Sequence, residues 1–252
     1  MSCDLKTFSL YLQDLLQVRA FADVSLNGLQ VQGNQVITSI ATAVTASLAV
    51  IQRAVELQVD LLLVHHGLFL KGKEMALVGT LHDKVKLLLT NNISLVGMHL
   101  PLDAHPEFGN NWAVARQLGW TNLMPFGMYG GAAIGVRGEF PRMSRNEFQN
   151  ILEDVYQHPG HVAFGGKEFV SSCAVVSGGA HKLIREASEI GVDCYVTGSF
   201  DEPVWHEAFE EKINFLAFGH AATEKIGVQQ LGLHLQQQFH LSHFFIDEPN
   251  PF

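Results

Sequence analysis

The stretch Val64-His65-His66-Gly67 follows the apolar run Val59-Asp60-Leu61-Leu62-Leu63-Val64, whose one charge lies near its start. A short run rich in branched residues indicates a buried strand of a parallel sheet. Open α/β sheets place their sites at the carboxyl ends of such strands. Because neighbouring strand residues point to opposite faces, His65 and His66 share one ion only where the strand gives way to a loop; otherwise each binds its own ion. The alternative is that the two histidines simply cap the strand.

The totals describe a globular chain that can bury a substantial core as one large domain or two smaller ones. Of its 252 residues, 47% are hydrophobic and 16% are charged, and the formal net charge is −9. An acidic chain does not favour nucleic acid as a partner unless it carries a local basic patch. Three cysteines without a CxxC pair, no basic leader and no apolar stretch of membrane-spanning length predict a cytoplasmic protein without a membrane partner.

The order of patterns predicts an α/β fold. Residues 36–44 and 59–64 are predicted strands, and Thr45 or Ser47 can cap the helix between them. Residues 93–98 form a third predicted strand. Glycines then become frequent near residue 125, and Ser144-Arg145-Asn146-Glu147 is a capping box that starts a helix.

The first pattern returns after residue 170, at a constant offset of 133 residues. Both copies are ordered as strand, small-residue turn, helix, Val-Asp and strand, which predicts an internal duplication. We therefore expect two related three-layer α/β halves with a small α+β insertion between them: residues 1–124, 125–168 and 169–252. The identical pairs are Ser39/Ser172, Ala41/Ala174, Ile51/Ile184, Ala54/Ala187, Glu56/Glu189, Val59/Val192 and Asp60/Asp193.

A second correspondence, at an offset of 121, matches His99 with His220 and Asp103 with Glu224. If the half-sheets face each other, the strand ends after 64, 98 and 218 converge. Imidazole and carboxylate donors without a nearby thiolate suit Zn²⁺, Mn²⁺, Fe²⁺ or Ni²⁺. Five donors suit two ions that share a carboxylate and lower the pKa of a bound water. The five are His65, His66, Asp103, His220 and Glu224.

Six motifs also resemble the Nif-three-like family, labelled GTP cyclohydrolase 1 type 2 homologue, which includes bacterial YbgI proteins. They cover the chain from near residue 25 to its C-terminus: Asn27-Gly28-Leu29-Gln30-Val31, Val64-His65-His66-Gly67-Leu68-Phe69, Met98-His99-Leu100-Pro101-Leu102-Asp103-Ala104-His105-Pro106, Gly109-Asn110-Asn111, Gly219-His220-Ala221-Ala222-Thr223-Glu224 and Ile246-Asp247-Glu248-Pro249-Asn250-Pro251.

The resemblance implies two metal ions per chain, bound by the same five residues, with Glu224 as the bridge. It also implies a toroidal homohexamer, a trimer of dimers. Many members have a histidine where this chain has Ala221, so a second histidine has no role there. His99 either ligates an ion or supports the site and transfers a proton, and we favour the latter because five ligands already complete the set.

The predicted function is that of a dinuclear metal-dependent hydrolase, similar to GTP cyclohydrolase 1 type 2, which acts on a small nucleotide-like or phosphate-bearing substrate. The chain lacks a P-loop, and Arg137, Arg142 and Arg145 are either an anion-binding cluster or an ordinary solvated face. The alternative is a metal-binding interaction or regulatory protein whose hexameric ring binds a partner without catalysis. A ring that encircles nucleic acid is least favoured by the negative charge.

Overall fold

The structure is a computed structural model that describes residues 2–73 and 75–252. Within these ranges the strands are β1 (Cys3–Asp4), β2 (Gly28–Val31), β3 (Val36–Ile37), β4 (Ser39–Thr45), β5 (Leu61–His66), β6 (Ser94–Gly97), β7 (Thr121–Tyr129), β8 (Ala132–Ser144), β9 (His161–Phe164), β10 (Phe169–Val175), β11 (Cys194–Thr197), β12 (Asn214–Ala217) and β13 (Ser242–Phe245). The α-helices are α1 (Leu5–Leu15), α2 (Leu48–Glu56), α3 (Gly79–Thr90), α4 (Leu100–Asp103), α5 (Asn110–Gln117), α6 (Arg145–Tyr156), α7 (Ile184–Glu189), α8 (Val204–Glu210), α9 (His220–Thr223) and α10 (Lys225–Phe239).

These elements form two compact units. The first unit contains residues 1–102 and 227–249, and the second contains residues 103–226 and 250–252. The units follow contacts in space, whereas the predicted segments 1–124, 125–168 and 169–252 follow the sequence repeat. The segment boundaries therefore stay a prediction about the duplication.

The first unit is built on a five-stranded sheet with the order β13-β4-β5-β6-β2. The strands β13, β4, β5 and β6 are parallel, and β2 pairs antiparallel with β6. Strand β5 is the predicted run, and its four apolar residues from Leu61 to Val64 are fully buried. It continues through both histidines. The core on this sheet includes Ala43 of β4, Ile51 of α2 and Leu88 of α3.

The second unit is built on a six-stranded sheet with the order β7-β8-β10-β11-β12-β9. Strands β10, β11 and β12 are parallel, and the other pairings are antiparallel. The predicted insertion supplies β8, β9 and α6 and part of β7, so it completes this sheet. Ser144 accepts from the backbone N–H of Glu147, as the capping box predicts. Phe148 and Leu152 of α6 pack into the core with Val136 of β8.

The pairing register supports the duplication. The sheets correspond strand by strand, β4-β5-β6-β2 to β10-β11-β12-β9. At the sequence offset of 133, Ile40 pairs with Leu61 in the first sheet, and Cys173 pairs with Cys194 in the second. The match also extends to the antiparallel edge, where Gly28 pairs with Gly97 and His161 pairs with Ala217.

The same register corrects the second correspondence. Leu61 pairs with Ser94, and its equivalent Cys194 pairs with Asn214, so β6 and β12 are related by an offset of 120 rather than 121. His99 therefore corresponds to Gly219, and His220 is the following residue. The matches of His99 with His220 and of Asp103 with Glu224 were both wrong by one position, because the short strands contain too few identical residues to fix the offset.

No helix in the described ranges is long and apolar enough to cross a membrane.

Candidate metal centre

Three histidines of the first unit lie together at the carboxyl ends of β5 and β6. The ring centroids of His65 and His66 are 4.7 Å apart, and that of His99 is 4.9 Å from His65 and 5.6 Å from His66. One nitrogen from each ring lies within 4.8 Å of the other two. His65 is fully buried, and the other two are partly exposed. The end of the strand thus brings together side chains that a regular strand would direct to opposite faces.

Each of these rings is oriented through Nδ1. His65 Nδ1 donates to the carbonyl of Met98 over 3.0 Å, and His66 Nδ1 shares a 3.1 Å hydrogen bond with Thr45 Oγ1. His99 Nδ1 lies 2.9 Å from Asp23 Oδ1. Metal-ligating histidines are commonly held in this way through the nitrogen that does not bind the ion. The arrangement suits the binding of a cation through Nε2.

Asp23, which no sequence motif marks, is the carboxylate that contacts His99 Nδ1. It is 3% exposed and accepts from the backbone N–H of Ser25 and Leu100 and from the Asn27 side chain. Burial alone would raise the pKa of Asp23, but the hydrogen bonds from His99, Asn27 and Ser25 outweigh it and hold the pKa well below its usual value. Asn27 also accepts from the backbone N–H of His99 over 2.7 Å.

Asp103 is held at the end of α4 in the second unit. It is 6% exposed, and its Oδ1 accepts from Asn110 Nδ2 over 2.8 Å and from Ser177 Oγ over 2.9 Å. The adjacent Asn111 is also buried; it accepts from the backbone N–H of Ser177 and donates to the carbonyl of Ile134. Asparagines at the start of a helix are typical N-cap residues. Gly109 occupies the N-cap position instead, because the buried carboxylate and turn use both amides.

His220 and Glu224 lie one helical turn apart in the second unit, where α9 ends. The His220 Nε2 to Glu224 Oε1 distance is 3.3 Å, the side chain of Glu224 is 4% exposed and that of His220 is 42% exposed. Two donors on one ion at bond lengths of about 2.1 Å lie roughly 3–3.4 Å apart. Gly178 makes room for this pair, since a Cβ there would collide with Glu224 Oε1 and crowd His220 Nε2.

The predicted ligands thus fall into two sets, one in each unit. His65 and His66 belong to the first unit; Asp103, His220 and Glu224 belong to the second. The imidazole and carboxylate donors fit Zn²⁺, Mn²⁺, Fe²⁺ or Ni²⁺. These histidine, aspartate and glutamate groups could hold a metal ion.

The other sequence candidates have local roles. His105 accepts from the backbone N–H of Phe108 through Nδ1 and stacks on its ring. Arg142 lies over the Phe169 ring. Arg145 lies over the ring of Phe164 and donates to its carbonyl.

Two related sheets that carry histidine and carboxylate groups able to hold a metal ion define the class: a duplicated α/β protein with a candidate metal centre. The sequence profile of the Duf34/NIF3 (NGG1p interacting factor 3) family matches residues 3–251. The chain belongs to this family.

Relatives and solved structures agree over almost the whole chain. A Chlamydia muridarum protein named GTP cyclohydrolase 1 type 2 homolog is 49% identical over 243 residues, which are 96% of each chain. A Deinococcus radiodurans protein of the same name is 38% identical over 95% of this chain and 91% of its own. The solved structure of protein ybgI, described as of unknown function, has a TM-score of 0.93 at 36% identity and covers 99% of this chain and 100% of its own. A Thermus thermophilus structure has a TM-score of 0.92 at 35% identity, with the same coverage.

Proposed function

We propose that the protein is a dinuclear metal-dependent hydrolase, similar to GTP cyclohydrolase 1 type 2, with a small nucleotide-like or phosphate-bearing substrate. Its ligands would be His65, His66, Asp103, His220 and Glu224. The observation that carries the proposal is that hydrogen bonds from neighbouring residues hold the donor side chains in place. His65 is fixed by the Met98 carbonyl, and Asp103 by Asn110 and Ser177. Buried donors held by such hydrogen bonds are typical of metal sites.

The donor set suits two divalent ions. We propose that His65 and His66 each bind a different ion and that Glu224 bridges the ions through its two oxygens. When bound, such a pair supplies a water of lowered pKa as nucleophile and polarises the substrate's oxygen atoms. The native metal would be Zn²⁺, Mn²⁺, Fe²⁺ or Ni²⁺.

His99 is the proposed catalytic residue. With Nδ1 directed to Asp23, its Nε2 is the nitrogen that can accept or donate a proton at the substrate. Its side chain is 22% exposed, so a substrate can reach it, whereas His65 is fully buried. The difference supports a ligand role for His65 and a proton-transfer role for His99.

The curated relatives support the reaction class through their name, GTP cyclohydrolase 1 type 2 homolog. That name describes a relationship, and the activity comes to this chain as our proposal. The nucleotide-like substrate therefore rests on the relatives, and the water-activating chemistry rests on the donor set.

The test is a screen of metal-loaded protein against nucleotides including GTP, phosphoesters, amides and cyclic ethers. We expect hydrolysis of one class by the wild type and a loss of about 10²-fold or more in His65→Ala and Glu224→Ala. His82→Ala is the matched control, because His82 lies on α3 and pairs with Asp83. Equal inertness of wild type and variants toward every class would contradict catalysis.

A non-catalytic metal-binding or regulatory protein that binds a partner is the alternative, and an exposed aromatic patch favours it. Phe200, Trp205 and Phe209, on α8 and the loop before it, are 46%, 53% and 46% exposed. Contiguous exposed aromatic side chains are typical of interaction surfaces. Inert protein that still binds metal and a macromolecular partner in a pull-down would support this reading.

We also propose that the chain assembles into a toroidal homohexamer, a trimer of dimers, in the cytoplasm. The aromatic patch supports self-association, and three free cysteines suit a reducing compartment. Sedimentation equilibrium should give six times the 27.8 kDa chain mass. A monomer at micromolar concentration would contradict the assembly.

A further inference from the structure

Asp23 and Asn27 hold the backbone and the ring of His99 together. Asn27 donates from Nδ2 to Asp23 and accepts from the backbone N–H of His99. Asp23 accepts from His99 Nδ1 and from the backbone N–H of Leu100. The histidine is thus fixed on three sides by two residues more than seventy positions earlier in the chain.

A buried carboxylate needs strong donors, since burying a charge without partners is costly. Asp23 is 3% exposed, and it receives hydrogen bonds from Ser25, Asn27, His99 and Leu100. Both oxygens of Asp23 accept from backbone N–H groups, Oδ1 from Ser25 and Oδ2 from Leu100, and the hydrogen bonds to the carboxyl hold its pKa well below the usual value, so it is ionised and can only accept. Nδ1 of His99 must therefore carry the proton that it shares with Asp23.

The duplicated half serves as an internal control. Its sheet has the same order and register, yet the residues that correspond to Asn27 and to the three histidines are different. At an offset of 133, Asn27 corresponds to Gly160, His65 to Gly198 and His66 to Ser199; at an offset of 120, His99 corresponds to Gly219.

The sheet of this half thus forms without an amide or a histidine at these positions. Asn27 and the three histidines are therefore not a requirement of the duplicated sheet.

We infer that Asp23 is a positioning residue that holds His99 as the Nδ1-protonated tautomer, with Nε2 as its proton-accepting nitrogen. Asn27 fixes the backbone from which the ring projects. Proton transfer between that Nε2 and a substrate rests on the proposed function, whereas the tautomer of His99 does not depend on it.

The test is solid-state ¹⁵N NMR of histidine-labelled, metal-free full-length protein at about pH 8, where free imidazole is neutral. Protonated and bare ring nitrogens give separate signals, and the His99 signals among 13 histidines are those that disappear in His99→Gln. We expect His99 to carry its proton on Nδ1. In Asp23→Ala the ratio of Nδ1–H to Nε2–H should fall about tenfold or more, because a hydrogen bond to a charged group is lost.

Asp60→Ala is the matched control. Asp60 is a carboxylate of the same unit that accepts from the backbone N–H groups of Thr38 and Ser39. Its substitution should leave the His99 signals unchanged. If Asp23→Ala does not fold, Asp23→Asn keeps the volume and should shift the ratio in the same direction. A proton on Nε2 in the wild type, or a ratio unchanged by both Asp23 variants, would overturn the inference. Because neither metal nor substrate is present, failure of the hydrolase proposal leaves this result standing.

Discussion

At the scale of single residues, Asp60 and Asp193 show what the duplication preserved. Asp60 accepts from the backbone N–H groups of Thr38 and Ser39 at the start of the neighbouring strand. Asp193, 133 positions later, accepts from the backbone N–H of Ser171 and from Ser172 Oγ. The side-chain hydroxyls of Ser39 and Ser172 accept in return from the aspartate N–H groups. The identical residues thus join equivalent strands in both sheets.

We predict that Asp60→Asn and Asp193→Asn each lower the free energy of unfolding by about 2 kcal/mol, since hydrogen bonds to an ionised acceptor are lost. Urea titration followed by circular dichroism measures the change. Asp83→Asn, at a side chain that is 63% exposed on α3, should change stability by less than about 0.5 kcal/mol. Equal effects at all three positions would contradict a structural role of the repeated aspartates.

The same aspartates predict a dependence on pH. Burial raises the pKa of both carboxyls, but the hydrogen bonds from Thr38 to Asp60 and from Lys167 to Asp193 outweigh it, so each pKa is lowered. A folded-state pKa below the unfolded value of about 3.9 gives stability that is complete above about pH 5 and is lost as the pH falls through the folded pKa. Urea midpoints of wild type and Asp193→Asn should therefore converge below about pH 4. A constant difference down to pH 2 would contradict the assignment.

The position of Gly178 predicts that a side chain at this point of the backbone would weaken metal binding. Its φ of +66° is left-handed, and a Cβ would collide with Glu224 Oε1. Gly191, with a φ of +80° and nothing within 4 Å of its Cβ, is the matched control. Both alanine variants should lose about 1–2 kcal/mol of stability from left-handed strain, but only Gly178→Ala should also weaken Zn²⁺ binding. Chelator competition measures the affinity, and equal weakening by the two variants would contradict this prediction.

At the scale of elements, local chemistry made several helix starts predictable. Asp4 and Ser47 accept from Thr7 and Val50 at the first turns of α1 and α2. The run after Val59 predicted β5, because branched residues buried on both faces are typical of a central parallel strand. These features depend on residues within a few positions of one another, so the sequence contains them directly.

The capping box at Ser144 gives a quantitative test at this scale. Ser144→Ala should lower the free energy of unfolding by about 1 kcal/mol, because the backbone N–H of Glu147 loses its acceptor at the start of α6. Ser144→Asp restores an acceptor and should recover most of the loss. Thermal and urea unfolding of the three proteins measure it. Equal destabilisation by alanine and aspartate would show that the hydroxyl serves another purpose.

Elements that depend on distant contacts were not predictable. Asp23 reaches His99 across 76 positions, and no periodic pattern marks it. Asn110 and Asn111 fit the pattern of helix caps. In the structure, however, the Asn110 side chain donates to Asp103, and the Asn111 side chain accepts from the backbone N–H of Ser177. The one-residue error that matched His99 with His220 has a similar cause, because the offset is fixed by the pairing of β6 with β5 and of β12 with β11.

At the scale of the whole molecule, the repeat, the family and the candidate donors all follow from the sequence, whereas the compact units do not. Helix α10 ends in the first unit although it starts in the second, and the chain returns to the second unit at residue 250. Such a division depends on contacts between the N- and C-terminal parts of the chain, such as the parallel pairing of β13 with β4. The sequence repeat does not predict the pairing of β13 with β4.

Anomalous diffraction from crystals of untreated protein tests the central claim, the dinuclear centre, most directly. We predict two metal peaks per chain, roughly 3.5–4 Å apart. His65 should ligate one ion and His66 the other, and Glu224 should contact both, with the element identified by its absorption edge. Wild-type crystals with both histidines on a single ion, or with no metal peak near either, would contradict the account.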